Sequence, residues 1–268
     1  MFDVIFQARG TYGTASQGWT AVGVTRGRVA AWLSPSEAQD AARARIPLWD
    51  LGDTFIVPGL WDAHVHLLAT GLTLTQLDLS PVANFAELFD LLRRSDDDPL
   101  VCCNFDETRL SEGRAPTARE IDAAVPDRPV IIIRVDLHSM VMNSRAWDMW
   151  GGDAVGPGID LDAGRRTGAV RGVAFEKIRA AIQRHLDPAV KRRALAAAAA
   201  AAAEKGVVAL CALEGGHETG AQDVTLLGEC QSNLPVEVFV WPQIPDVPVV
   251  RRLGLPRLGG CILVDGSF

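Results

Sequence analysis

A chain of 268 residues that is 48% hydrophobic can bury a substantial core, which excludes global disorder and suits one large α/β barrel or two medium domains. With 26 Lys and Arg against 33 Asp and Glu the net charge is -7. The cation excess demanded by nucleic acid or an anionic membrane is missing, and a small-molecule partner is expected instead. No apolar run approaches the roughly 18 residues of a membrane span and the N-terminus has no secretory pattern, so a cytoplasmic protein is expected.

Residues 1–56 read as short strands joined by turns. The arms AVGV and RVAAW flank Arg26 and Gly27, which is the pattern of a hairpin. In SPSEAQDAARAR, Ser34 or Ser36 is positioned to cap a short alanine-rich helix or turn. The run TFIVPGLWDAHVHLLATGL follows. Residues 55–57 are strand-like, Pro58 and Gly59 interrupt, and residues 60–66 resume as a buried strand ending in polar residues.

From about residue 77 to residue 181 helical patterns alternate with loops. Asn84 is a plausible cap for FAELFDLLRRS, and Thr117 with Glu120 has the spacing of a capping box. PVIIIRVD, rich in β-branched residues, predicts a buried strand. Residues 151–168, rich in Gly and Asp, predict a long irregular connection. Asp187 and Pro188 then open a nearly pure alanine helix that stops at Gly206 and is expected to pack closely on a sheet. GVVALCALE, a helix over residues 221–230, PVEVFVW, a helical turn near residues 247–253 and GGCILVDGSF complete a βα alternation typical of a parallel sheet or barrel.

The strongest chemical signal is the pair His64 and His66. Side chains two apart on a strand share a face, so two imidazoles converge and can both offer nitrogen to one divalent cation, a chemistry suited to Zn²⁺. Asp62 lies where a carboxylate could orient one of them. The alternative is a pair of ordinary strand histidines. The five cysteines, Cys102, Cys103, Cys211, Cys230 and Cys261, are odd in number, match no zinc-finger spacing and read first as reduced, buried thiols.

With these residues in place the chain resembles the metal-dependent amidohydrolase superfamily, and more narrowly amidohydrolase family 3, the group with N-substituted formamide deformylase-like enzymes. The resemblance rests on IVPGLWDAHVH, LLATGLTLTQLDLS, APTAREIDAAVPDRPVIIIRVDLHSMVMNS, TGAVRG and GGCILVDGSF, in the family's order, and covers nearly the whole chain. It implies an α/β fold: a partial TIM-like (β/α)8 barrel containing strands 1 to 4 only, an N-terminal β-sandwich portion and a large α/β insertion. Residues 1–56 would be the sandwich portion and 57–268 the first half of the barrel, with the insertion at about 78–182. Residues 60–66, 207–213, 236–241 and 261–265 would be the four barrel strands.

The resemblance also implies a site. His64 and His66 would be metal ligands, and Cys261 stands where many relatives have a carboxylated, bridging lysine. A thiolate is itself a good Zn²⁺ ligand, with a buried structural thiol as the alternative. Glu214, at the end of the second barrel strand, is a further candidate ligand or else a salt-bridged or solvated rim carboxylate. His138 matches a family histidine near the substrate entrance, although the usual preceding glycine is Leu137 here. His217, in a polar loop after the second barrel strand, is either solvent-exposed or functional, His185 at a helix start reads as structural, and Asp265 with Gly266 matches the family's DG pair. The general base is expected from the strands that would follow.

The function so implied is hydrolysis of a non-peptide C–N bond in an amide, formamide or cyclic amide, with a divalent metal, Zn²⁺ by expectation, as cofactor. The competing expectation is a catalytically inactive, truncated fragment that at most binds metal or self-associates as a homo-oligomer, because a half-barrel exposes unpaired strand edges. A nucleotide-binding fold is disfavoured, since no Gly-rich phosphate loop follows any strand.

Overall fold

The computed structural model describes residues 2–12, 20–152, 156–216 and 220–259. The chain divides into two units, Met1–Leu60 and Trp61–Phe268. The first is built on the expected hairpin. Ala21–Thr25 pairs antiparallel with Arg28–Leu33, and the turn residues Arg26 and Gly27 take φ values of 51° and 71°. Two left-handed residues in succession match the twist of the flanking strands. Val4–Gln7 and Leu48–Asp50 extend this to a four-stranded sheet. Helix Pro35–Arg43 closes a small core of Ile5, Ala21, Leu33 and Ala38. Ser34 is its cap: Ser34 Oγ accepts from the Glu37 N–H and the Glu37 carboxylate accepts from the Ser34 N–H, while Ser36 lies within the helix.

In the second unit a six-stranded mixed sheet carries the middle of the chain. Leu77–Asp78, Leu100–Phe105 and Val130–Arg134 run parallel, and Ser139–Met142, Arg165–Arg171 and Ile159–Asp162 follow antiparallel. The β-branched run lies inside this sheet with both faces covered. Val130 and Ile132 pack with Leu88, Leu92 and Ile121 from helices Phe85–Arg94 and Ala118–Ala124, while Ile131 packs with Phe175 and Ile178 from helix Gly172–His185. Both expected caps form, Asn84 on the Glu87 N–H and the Thr117 and Glu120 capping box.

Residues 151–168, expected as irregular, instead contain most of a hairpin, Ile159–Asp162 against Arg165–Arg171. Ala163 and Gly164 turn it with φ values of 47° and 78°. Alanine in the first of these positions hides the turn from a reading based on Asn-Gly or Asp-Gly pairs.

The remaining sheet has three strands in the order Glu237–Pro242, Val207–Glu214, Leu60–Val65, and its first two run parallel. Helices Leu67–Thr75, Pro188–Glu204 and Gly220–Cys230 contribute to the core with Leu210, Ala212 and Val240 of this sheet. The alanine helix makes its tightest approach to a helix rather than to the sheet. A Cβ built on Gly71 would fall 1.9 Å from the Ala194 carbonyl oxygen, so the two backbones touch where glycine has no side chain. Gly206, at φ 79°, follows the end of the alanine helix as expected.

Leu60–Val65 forms a strand but is not buried. It is the edge of its sheet among the described residues, and Leu60 and Trp61 remain 54% and 59% exposed. An apolar run specifies a strand, whereas its neighbours decide whether that strand is interior. No described helix is long and apolar enough to cross a membrane. The architecture is mixed α/β, and no closed barrel forms among the described residues. Residues 261–265, expected as a fourth barrel strand, lie outside them.

Candidate metal centre

Val65 packs into the helix-covered core, which sends the alternate side chains His64 and His66 to the other side of the strand end. Both imidazoles are exposed, with ring centroids 5.7 Å apart and planes at 83°. A nitrogen about 2.0–2.1 Å from a metal puts its ring centre roughly 3 Å from that metal, so two rings at this separation can share one ion. The donor set therefore fits two ligands of a divalent cation. Asp62 does not reach an imidazole through any observed hydrogen bond; its Oδ1 accepts from the His64 main-chain N–H at 3.0 Å, holding the strand end.

His66 is the last residue before helix Leu67–Thr75, at φ -89° and ψ 85°. Its Nδ1 lies 3.0 Å from the Leu213 carbonyl oxygen on the neighbouring strand. A carbonyl can only accept, so Nδ1 carries the proton and Nε2 is the basic nitrogen that a metal would meet.

Glu214 is 6% exposed, and its Oε1 accepts from the Leu68 N–H at 2.9 Å. An orphan amide in the first turn of helix Leu67–Thr75 is thus capped by the adjacent strand rather than by His66. Burial pushes the Glu214 carboxyl up to about 7. The Leu68 N–H pulls against that rise and the Asp223 charge adds to it. Asp223 in turn is held by Lys191, with Nζ 2.6 Å from Oδ1 in a buried pair.

Sequence reasoning missed both the carbonyl on His66 and this buried ion pair. A carbonyl has no side-chain signature, and a lysine in an alanine helix reads as solvated. Among the described residues no group of three or more His, Cys, Asp and Glu side chains is gathered as a metal site. Cys261, Asp265, Gly266 and His217 lie outside the described residues. His138 is exposed in the turn between Val130–Arg134 and Ser139–Met142 of the six-stranded sheet. Its main-chain N–H donates to Asp136 Oδ1 at 2.9 Å. His185, expected at a helix start, ends helix Gly172–His185 with Nδ1 2.7 Å from the Ala181 carbonyl oxygen. Cys102 and Cys103 are buried in the sheet; burial raises both thiols, Cys103 to about 11, as suits structural cysteines.

Residues 48–259 match the amidohydrolase family. The chain belongs to this family. An N-substituted formamide deformylase from Arthrobacter pascens is 28% identical over 174 residues, 56% of this chain and 30% of the relative. An uncharacterized metal-dependent hydrolase from Pyrococcus furiosus superposes with a TM-score of 0.72 at 25% identity, covering 96% of this chain and 54% of that one. Another from Pyrococcus horikoshii OT3 has a TM-score of 0.73 at 20% identity, covering 96% and 52%, a likeness of fold alone. The amidohydrolase chain thus spans about half the length of the solved proteins it resembles and a smaller share of the curated deformylase. Its departure from the family's glycine before His138 falls at a strained position, because Leu137 has φ 60°, a conformation that glycine adopts without the clash of a Cβ.

Proposed function

We propose that this amidohydrolase chain contributes the first part of the metal centre of an enzyme that hydrolyses a non-peptide C–N bond in a small amide, formamide or cyclic amide. The observation that carries the reading is the His64 and His66 pair, whose rings lie close enough to share one ion at the end of a strand in a family-matched segment. In this reading Leu60–Val65, Val207–Glu214 and Glu237–Pro242 are the first three strands of a (β/α)8 barrel. Residues 1–56 are part of a small β-sandwich, and the six-stranded sheet belongs to the insertion at about 78–182.

His64 and His66 would hold a divalent cation, Zn²⁺ by expectation, and Cys261 would add a thiolate. Glu214, expected from the sequence as a ligand, enters this reading as a neighbour with one carboxylate oxygen committed to the Leu68 amide. A cation held there would supply an acidic water near neutral pH and a Lewis acid for the scissile carbonyl. The chain's own residues hold the site: Asp62 fixes the His64 backbone, and the Leu213 carbonyl keeps the proton of His66 on Nδ1. His138 is carried as a substrate contact from the insertion.

Elemental analysis after Zn²⁺ loading and desalting tests this reading. About one equivalent of metal in the unmodified protein, lost in both His64→Ala and His66→Ala, is the expected outcome; metal content unchanged by either substitution would sink it. A second reading, self-association through this strand, is favoured by the exposed Leu60 and Trp61 on the edge strand.

A further inference from the structure

Two residues at the turn from strand to helix, His66 and Leu68, are clamped by two consecutive residues of the adjacent strand. The Leu213 carbonyl oxygen takes His66 Nδ1–H at 3.0 Å, and the Glu214 carboxylate takes the amide of Leu68. The Leu68 bond is buried and 2.9 Å long. These contacts join residues nearly 150 apart in sequence, and no side chain of the helix's own N-terminus makes a cap bond in their place. Glu214 is therefore tied to helix Leu67–Thr75 at the point where the chain leaves His66.

The consequence runs through geometry. A helix N-terminus leaves its first amides without intrahelical acceptors, so an anion or carbonyl placed there fixes where the helix begins. If the Glu214 carboxylate withdraws, the first turn loses its anchor and His66 moves with it. The Leu213 carbonyl is one residue from Glu214, so the same displacement breaks the bond that assigns the proton to Nδ1. A metal-ligating histidine depends on that bond for its tautomer and ring orientation, and loss of such outer support typically weakens metal binding 10–100-fold.

We propose that Glu214 is a positioning residue that anchors helix Leu67–Thr75 to the end of Val207–Glu214 and so holds His66 as the Nδ1–H tautomer, with Nε2 presented to the metal. The role rests on the reading of His66 as a ligand only for its metal consequence; the tautomer assignment stands apart from it. What matters is an acceptor oxygen at the reach of a glutamate side chain, not its charge.

Two variants separate reach from charge. Glu214→Gln keeps an oxygen at the same reach, and Glu214→Asp keeps the charge but retracts the oxygen by one methylene. In ¹⁵N-detected imidazole spectra of metal-free protein, with the His66 signal assigned by its loss in His66→Ala, the unmodified protein and Glu214→Gln are expected to give the Nδ1–H pattern. Glu214→Asp is expected to give an averaged one. Calorimetric titration with Zn²⁺ should follow the same order, with Glu214→Gln within about threefold of the unmodified protein and Glu214→Asp weaker by about 10-fold or more. A His66 pattern unchanged in Glu214→Asp, or averaged in Glu214→Gln, overturns the proposal. Loss of Zn²⁺ binding in Glu214→Gln with an intact tautomer also overturns it, because that result marks Glu214 as a charged ligand. If Glu214→Asp does not fold, Glu214→Gln alone retains both overturning outcomes. Absence of Zn²⁺ binding in the unmodified protein would defeat the functional reading while the tautomer comparison still decides this one.

Discussion

Lys191 Nζ lies 2.6 Å from Asp223 Oδ1 with both side chains more than nine-tenths buried, joining the alanine helix Pro188–Glu204 to helix Gly220–Cys230. Two charges taken out of water are held by each other, so removing one strands the other. Lys191→Met or Asp223→Ala alone is expected to cost about 3–5 kcal/mol, whereas Lys191→Met with Asp223→Leu recovers most of it. Urea denaturation midpoints of the three variants measure this, and a double variant no better than the worse single one would contradict it.

Gly71→Ala sets propensity against packing. In a helix interior alanine is favoured over glycine by about 0.8–1.0 kcal/mol. Here its Cβ would lie 1.9 Å from the Ala194 carbonyl oxygen, which cannot rotate away, so the helices must separate. Overpacking costs about 1–3 kcal/mol and occasionally more. The steric effect wins, and a net loss of about 1–2 kcal/mol is expected by chemical denaturation; a stabilised variant would place the helices farther apart than they are.

Glu120 accepts two hydrogen bonds from the Arg114 guanidinium and caps its own helix through Thr117, and the Arg114 bonds lead in lowering its carboxyl from 4.5 to about 2. A folded value below the unfolded one means a stabilising contribution complete above about pH 4.5 and lost as the pH falls through about 2. The side chain is 34% exposed, so solvent screens the pair and the effect is modest. Glu120→Gln should therefore flatten stability between pH 4.5 and 2 relative to the unmodified protein. Thermal melts across that range that fall in parallel for both proteins would exclude it.

The exposed edge Leu60–Val65 invites strand pairing between copies. Sedimentation velocity over a concentration series is expected to show self-association that Leu60→Lys reduces, because a lysine on an edge disfavours pairing. Trp61 is left in place in this test since its ring stacks on Phe239, centroids 5.1 Å apart, and its loss would disturb the sheet itself. A concentration-independent monomer in the unmodified protein would count against the expectation.

Much of this fold was legible one residue at a time. Ser34, Asn84 and Thr117 announce helix starts because capping is local chemistry over three or four residues, and the spacing of His64 and His66 announces a shared face because strand side chains alternate. The family resemblance was legible for the same reason, since its motifs are short contiguous segments. Relations between distant segments were not. That residues 60–65 form an exposed edge, that Gly71 meets the Ala194 backbone and that Lys191 finds Asp223 all depend on which elements become neighbours. Glu214 shows the division most sharply. Sequence placed it at the end of a strand, where it read as a ligand or a salt-bridged or solvated carboxylate. Only the tertiary structure buried it against the helix that begins after His66, because a cap supplied from nearly 150 residues away leaves no pattern in either segment.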